Sequence, residues 1–487
     1  MTHQLSTLVS ASDRTALRFG DRSWSYAELV AAADRLARVM TAAGLRGERV
    51  ALALPNCSEL VLCYLACFAS GAVATPFNTR YAPPELEQAL RRARPRWLIT
   101  HSEKLADLAR IDAAVLDSVR VLVVGDSPGR YEGFGTLRAP SDSGEPIAPD
   151  PDAPAVMFFT SGSTGRPKGV VHSHRSALGV LTSTSEALGG VTADDVTQVV
   201  EPLVHVSGFI GTMTTLMAGG TVALYDGFDP LRYVDALQQH RPTLVCTHID
   251  IIAQVLRQPG MRREWFASLR GVYTGGDTVP AALQREFLAA SGLPICVGWG
   301  MTEAIWLTIN REPRLDRDGC IGVPVSGVEV RVDEATGELL VRGPMVLDHY
   351  WEDETLTAAT LTDGWLHTGD LGEQDADGVW WFTGRSKDII VRRTSKITSG
   401  EVESILDQHP GVAAAAVIGV PDPEEGQVPV AFVVARNAAV LTVDDLLSFL
   451  RNRIAEYKIP ARVHFRTELP LTTSGKLNRR ELKEEVP

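Results

Sequence analysis

The stretch Thr160-Ser161-Gly162-Ser163-Thr164-Gly165-Arg166-Pro167-Lys168-Gly169 follows directly on a short apolar run, Ala155 to Phe159. An apolar run of this length entering a glycine-rich stretch predicts a buried strand that opens into a loop. The loop offers backbone N–H groups, hydroxyls and a lysine, and its glycines allow close backbone approach and unusual dihedrals. That combination suits a polyphosphate. It is not the GxxxxGK[ST] loop, because Pro167 precedes the lysine and Gly169 follows it where a magnesium-binding hydroxyl would stand. Nor is it a GxSxG elbow.

Outward from this loop, helix and strand signals alternate. Ser25-x-x-Glu28 is a capping box opening a helix to about Gly44. Val50 to Leu54 reads as a strand, Ser58 to Ser70 as a helix and Ala72 to Pro76 as a strand. Pro83 to Arg94 reads as a helix before the strands Trp97 to Thr100 and Val121 to Val124. Such alternation implies parallel sheets covered by helices. Asp126 to Pro154, rich in Pro, Gly, Ser and Asp, is a surface connection. Beyond residue 325 short strand signals (Val328 to Val332, Glu338 to Val341, Val379 to Phe382) predict a β-rich subdomain. The polar stretch Gly384 to Asp388 is a candidate hinge. After it, helices over Glu401 to Gln408 and Val443 to Tyr457 and strands over Ala413 to Val417 and Val428 to Val434 make a compact α+β unit. The expected fold is α/β. A large N-terminal domain of parallel α/β subdomains plus the β-rich subdomain (1–385) precedes a small mobile α+β C-terminal domain (386–487), with the hinge near Lys387.

Composition narrows the function classes. The chain has 487 residues, 45% hydrophobic and 22% charged, the balance of an ordinary globular protein. Lys and Arg number 47 against 60 Asp and Glu, for a net charge of −13, which argues against nucleic acid or an anionic membrane as partner. Its 6 cysteines are too scattered for a disulfide framework, and Cys63 and Cys67 read as small buried hydrophobes. Cytoplasm is the expected compartment. Leu60 to Phe77 carries no charge, but Ser70, Gly71 and Pro76 interrupt it, so a buried helix followed by a strand is expected rather than a membrane span.

Further motifs follow in order: Pro202-Leu203-Val204-His205, Gly275-Gly276-Asp277, Gly298-Trp299-Gly300-Met301-Thr302-Glu303, Thr368-Gly369-Asp370, Gly384-Arg385-Ser386-Lys387-Asp388 and Ser474-Gly475-Lys476. With the phosphate loop they resemble, over nearly the whole chain, the adenylate-forming superfamily of acyl-CoA synthetases, peptide-synthetase adenylation domains and beetle luciferases. Fatty-acid and aryl-acid CoA ligases are the nearest in pattern. The resemblance implies an ATP- and Mg²⁺-dependent ligase that makes an acyl-adenylate, releases pyrophosphate and passes the acyl group to CoA. It implies ATP or AMP contacts from Thr160, Ser161, Gly162, Ser163, Thr164, Gly165, Lys168, Gly275, Gly276, Asp277, Trp299, Gly300, Asp370 and Arg385. Trp299 would stack on adenine, and Asp370 would accept from the ribose hydroxyls. Glu303 would hold Mg²⁺, Thr302 would donate to the α-phosphate, and Lys476 would bridge carboxylate and α-phosphate, with His205 at the acid and thiol pocket. Lys387 would absorb the rotation of the small domain.

Two departures bear on substrate and acceptor. Arg393 and Thr394 occupy positions where acyl-CoA synthetases commonly carry paired glycines, in a loop that the resemblance places along the pantetheine tunnel. Two readings stay open there: a tolerated variation, with Arg392 or Arg393 meeting a CoA phosphate, or an acceptor other than CoA. That acceptor would be a carrier-protein thiol or an amine, including nitrite activation for diazotisation of an aryl amine. The second departure is Thr247-His248-Ile249-Asp250-Ile251, where His248 and Asp250 replace apolar positions of the acid pocket, alongside His205, Phe209, Thr247 and Gly300. Polar groups left unpaired there would cost about 1–3 kcal/mol each. A polar, aryl or amino-bearing acid is therefore expected if both point into the pocket, and that expectation lapses if they pair with each other in its wall.

Overall fold

A computed structural model describes residues 4–127, 129–138, 146–161, 167–276, 279–392, 395–422, 425–436, 441–451, 453–472 and 476–486. Their strands form three sheets of 14, 8 and 5 strands. In the 8-stranded sheet the parallel strands Arg49–Ala53, Val73–Pro76, Trp97–His101 and Arg120–Val124 lie beside the hairpin Pro154–Ser161/Pro167–Ser173. The parallel part of the 14-stranded sheet runs through Thr221–Leu224, Val196–Val199, Leu244–Cys246, Gly271–Gly275 and Ile295–Met301.

Strand alternation assigns each face to a different core. Val50 and Leu52 join the large central core, whereas Ala51 and Ala53 join a second one with Leu86, Leu90 and Leu116. The helices Tyr26–Ala42, Ser58–Ser70, His174–Ala187 and Val206–Met217 fill the central layer between the two large sheets. A third core, with Val234, Ile252, Phe266 and Phe287, packs outer helices onto the far face of the 14-stranded sheet. Helices and sheets thus form five alternating layers. The capping box is present: Ser25 Oγ accepts from Glu28 N–H and Glu28 accepts from Ser25 N–H at 2.8 Å, an arrangement that stabilises the helix start by about 1 kcal/mol. Leu60 to Phe77 forms a buried helix to Ser70, a left-handed turn at Gly71 and a strand. No described helix is long and apolar enough to cross a membrane.

The β-rich stretch beyond residue 325 is present and joins the large sheet: Cys320–Pro324 pairs with Ala304–Asn310 on one side and with Trp380–Arg385 on the other, extending that sheet with antiparallel strands. One expectation is corrected. The helix expected to reach Tyr457 is described over Val443–Arg451, and the residues Glu456–Lys458 form a separate 3-10 turn. The 5-stranded sheet, built from residues between Ile389 and Arg466, carries its own two cores. It docks on the large unit through Ser404, whose hydroxyl donates to Asp318 at 3.0 Å. The other oxygen of Asp318 accepts from Ala281 N–H at 2.7 Å. The backbone of Lys387 lies in the short turn Ser386–Asp388 between the two units.

Candidate active site

Glu303 stands in the tight turn joining Ile295–Met301 to Ala304–Asn310, with Met301 and Ala304 paired across it. Three groups hold that turn. His172 Nε2 lies 2.9 Å from the Thr302 carbonyl, and since a carbonyl only accepts, Nε2 carries the proton. Leu347 N–H donates to the Glu303 carbonyl at 2.7 Å, and the Tyr350 hydroxyl donates to Glu303 Oε1 at 2.8 Å. Burial raises the Glu303 carboxyl above its ordinary range, against the Tyr350 hydrogen bond and the charges of Lys168 and Lys476. Lys168 sits 5.7 Å from the Tyr350 ring and faces Thr160 across the hairpin. The loop 162–166, and with it Gly162, Ser163, Thr164 and Gly165, lies outside the described residues, as do the side chain of Ser161 and all of Asp277. The flanking strand residues Thr160 and Lys168 are register partners, and Lys168 faces the Tyr350 ring whose hydroxyl holds Glu303.

Trp299 and Asp370, expected to meet different parts of a nucleotide, form one unit. The indole N–H of Trp299 donates to Asp370 Oδ2 at 2.8 Å. Asp370 is directly opposite Arg385 on the neighbouring strand, with Arg385 Nε 3.2 Å from Oδ1. Gly275 and Gly298 are register partners on adjacent parallel strands. A Cβ at Gly298 would stand 1.4 Å from the Trp306 ring, so glycine is obligatory at that position.

The third group is built around a residue that no motif singled out. Glu201, only 4% exposed, follows the strand Val196–Val199. Its Oε1 accepts from Thr247 Oγ1 at 2.8 Å and from His248 N–H at 3.0 Å, and its Oε2 lies 3.4 Å from His248 Nε2. Asn56 fixes this strand end: its amide donates to the Glu201 carbonyl at 2.9 Å and its oxygen accepts from Leu203 N–H at 2.7 Å. His248 thus pairs with Glu201 and not with Asp250, which is exposed on the first turn of the following helix. His205 is half-buried, and burial together with the neighbouring His248, Arg80 and Lys476 pushes its pKa down to about 4. Lys476 completes the group. The Cβ that Gly276 lacks (φ +88°) would be 3.8 Å from Lys476 Cε and 3.9 Å from His248 Cε1.

Phe209, expected in the pocket wall, is instead core. It is 1% exposed, with ring centroids 5.1 Å from Tyr64 and 5.3 Å from Phe158. Its N–H reaches the His205 carbonyl one helical turn back, and its ring is enclosed by these aromatic neighbours in the central core. Phe209→Ala is expected to cost about 3–5 kcal/mol of stability, read by denaturant unfolding, with acid selectivity unchanged in the folded fraction.

Glu201, Asn56, His172 and Tyr350 are the residues that sequence reasoning missed. Glu201 had one available signal, its place immediately before Pro202-Leu203-Val204-His205. The arrangement gathers a phosphate-type hairpin, a buried carboxylate, a carboxylate–indole–guanidinium unit and a cluster of His205, His248 and Lys476. Such a cleft can hold a polyphosphate beside an acid and place cations where negative charge develops.

Comparison with known proteins agrees. The AMP-binding enzyme family matches residues 7–351, and the AMP-binding enzyme C-terminal domain matches residues 401–476. A feruloyl-CoA synthase from Amycolatopsis sp is 36% identical, over 96% of this chain and 95% of that protein. An indoleacetate–CoA ligase from Aromatoleum aromaticum is 34% identical, over 97% of this chain and 95% of that protein. The crystal structure of ATP-bound MatB from Rhodopseudomonas palustris superposes with a TM-score of 0.88 at 30% identity, covering 97% of this chain and 96% of the other. Fold, motif order and relatives agree that this chain belongs to the AMP-binding enzyme family and is an adenylate-forming ligase.

Proposed function

We propose that this ligase activates a polar, aryl or amino-bearing carboxylic acid with ATP and transfers the acyl group to CoA. The observation that carries this reading is the convergence of Lys476, from the small C-terminal unit, with His248 on Gly276, within electrostatic reach of Glu303 and His205. The carboxylate oxygen attacks the α-phosphorus and pyrophosphate leaves. Lys476 offsets the charge that builds between the two anions, and Thr302 donates to the α-phosphate. The hairpin with Thr160 and Lys168 cradles the outer phosphates. Asp370, oriented by Trp299 and Arg385, accepts from the ribose hydroxyls. The CoA thiol then displaces AMP. The domain boundary falls between Arg385 and Ser386, with Lys387 as hinge.

Mg²⁺ fits the donor set. Glu303 is a hard oxygen ligand with one oxygen taken by Tyr350, and among the described residues no group of three or more His, Cys, Asp or Glu could hold a metal by itself. One carboxylate completed by nucleotide phosphates is the usual Mg²⁺ arrangement, and the ion would neutralise phosphate charge during displacement.

For the acid, Asp250 turns outward and Thr247 is paired with Glu201, so the reading rests on the half-buried rings of His248 and His205 and on the relatives named for feruloyl and indoleacetate, which act on aromatic acids. The test is pyrophosphate release across fatty, aryl and amino-aryl acids and nitrite, each with and without CoA. Release that is greatest with aryl or amino-aryl acids and accelerated by CoA is expected. Preference for plain fatty acids would overturn the acid assignment, and indifference to CoA would overturn the acceptor.

A further inference from the structure

Glu201 and His248 have an arrangement that acyl activation alone does not require. A buried carboxylate is costly unless its lone pairs are used. Here Thr247, the His248 backbone and the His248 ring share the task, and the ring faces Glu201 through Nε2. That leaves Nδ1, for which the described residues provide no hydrogen-bond partner, on a side chain 34% exposed. The ring borders Gly276, where Lys476 also lies. Imidazole, orienting carboxylate and a neighbouring reaction centre together form the arrangement of a general base with its positioning group.

We propose that His248 is the general base of the acyl-transfer step and Glu201 its positioning residue. The proposal rests on the acid–CoA ligase reading. His248 Nδ1 takes the thiol proton as sulfur attacks the acyl carbon. The bond from that carbon to the adenylate oxygen breaks, AMP leaves with the electron pair, and the proton passes from Nδ1 to water. Glu201 supplies the counter-charge to the imidazolium. His205 is the less suitable base: among the described residues no carboxylate is paired with its ring as Glu201 is with His248, and burial lowers its pKa. The charged and titratable groups around His248 are Glu201, His205, Lys476 and, on its own helix, Asp250. Tyr233 and Cys246, which border Glu201, stay neutral because burial raises both.

The test separates the two half-reactions in the full chain. Adenylate formation is followed by pyrophosphate release without CoA, and thioester formation by single turnover of preformed acyl-adenylate on adding CoA. His248→Ala is expected to slow thioester formation at pH 7 by about 10²-fold and to slow adenylation by at least tenfold less, a split that also shows the variant is folded. The deficit should shrink toward pH 9, as a thiol with pKa near about 8.5 ionises unaided, and added imidazole should restore part of the rate. Glu201→Gln should show the same split, smaller, at about tenfold. Equal losses in both half-reactions, an unchanged thioester step, or a deficit that does not vary with pH would each overturn the proposal. Wild-type protein that forms adenylate and no thioester would overturn the CoA reading itself, an outcome visible before any variant is made.

Discussion

Lys476→Ala is expected to slow acid-dependent pyrophosphate release by about 10²–10³-fold, the effect of removing one preorganised charge-stabilising group from an active site. The reason is positional. Leu471 and Leu477 pair across the base of the lysine loop, and Lys476 N–H donates to Thr472 Oγ1 at 3.2 Å. Just beyond the loop, Arg479 holds both oxygens of Glu403 at 2.7 and 2.8 Å. Thr472 and Lys476 are therefore tied to the small unit, and the Lys476 ammonium stands 4.0 Å from the position a Gly276 Cβ would take. Single-turnover adenylation is the measurement. KM for the acid should change less than the maximal rate, because charge between carboxylate and phosphate grows most in the transition state. Unchanged single-turnover adenylation would remove Lys476 from the chemistry.

Glu303→Gln is expected to reduce adenylation on the order of 10²-fold, with a matching rise in the Mg²⁺ needed for half-maximal rate. The amide keeps the shape and the Tyr350 contact but loses the charge that a hard cation requires. Tyr350→Phe gives a separate signature. Burial already raises the Glu303 carboxyl, and the Tyr350 hydroxyl favours its ionised form. Removing the hydroxyl raises the carboxyl further, so the acidic limb of the pH–rate profile moves to higher pH. A limb that stays in place or moves down would show that Glu303 does not govern it.

Most of the fold was legible because its signals are local. The capping box at Ser25 and Glu28, the Gly71 turn and the buried, apolar helix before it depend on neighbours within a few residues. Site motifs were legible for a related reason: a glycine-rich loop must carry its own backbone freedom and donors in one contiguous stretch. What was not legible depended on partners distant in the chain. The β-rich stretch was expected, but its junction with the large sheet arises because Cys320–Pro324 finds partners on both sides, which no strand announces by itself.

The amino-acid sequence by itself determined the layered α/β plan, the order of the motifs and the ligase chemistry they imply, since hydrophobic period, turn residues and loop composition act over short spans. Tertiary structure alone decided which polar groups satisfy one another. Glu201 meets His248 across 47 residues, Tyr350 meets Glu303 across 47, His172 meets Thr302 across 130 and Trp299 meets Asp370 across 71. It also turned Phe209 into core and Asp250 outward. A buried donor or acceptor must be paired, but any of many residues could serve as its partner, and only the packing of layers selects one.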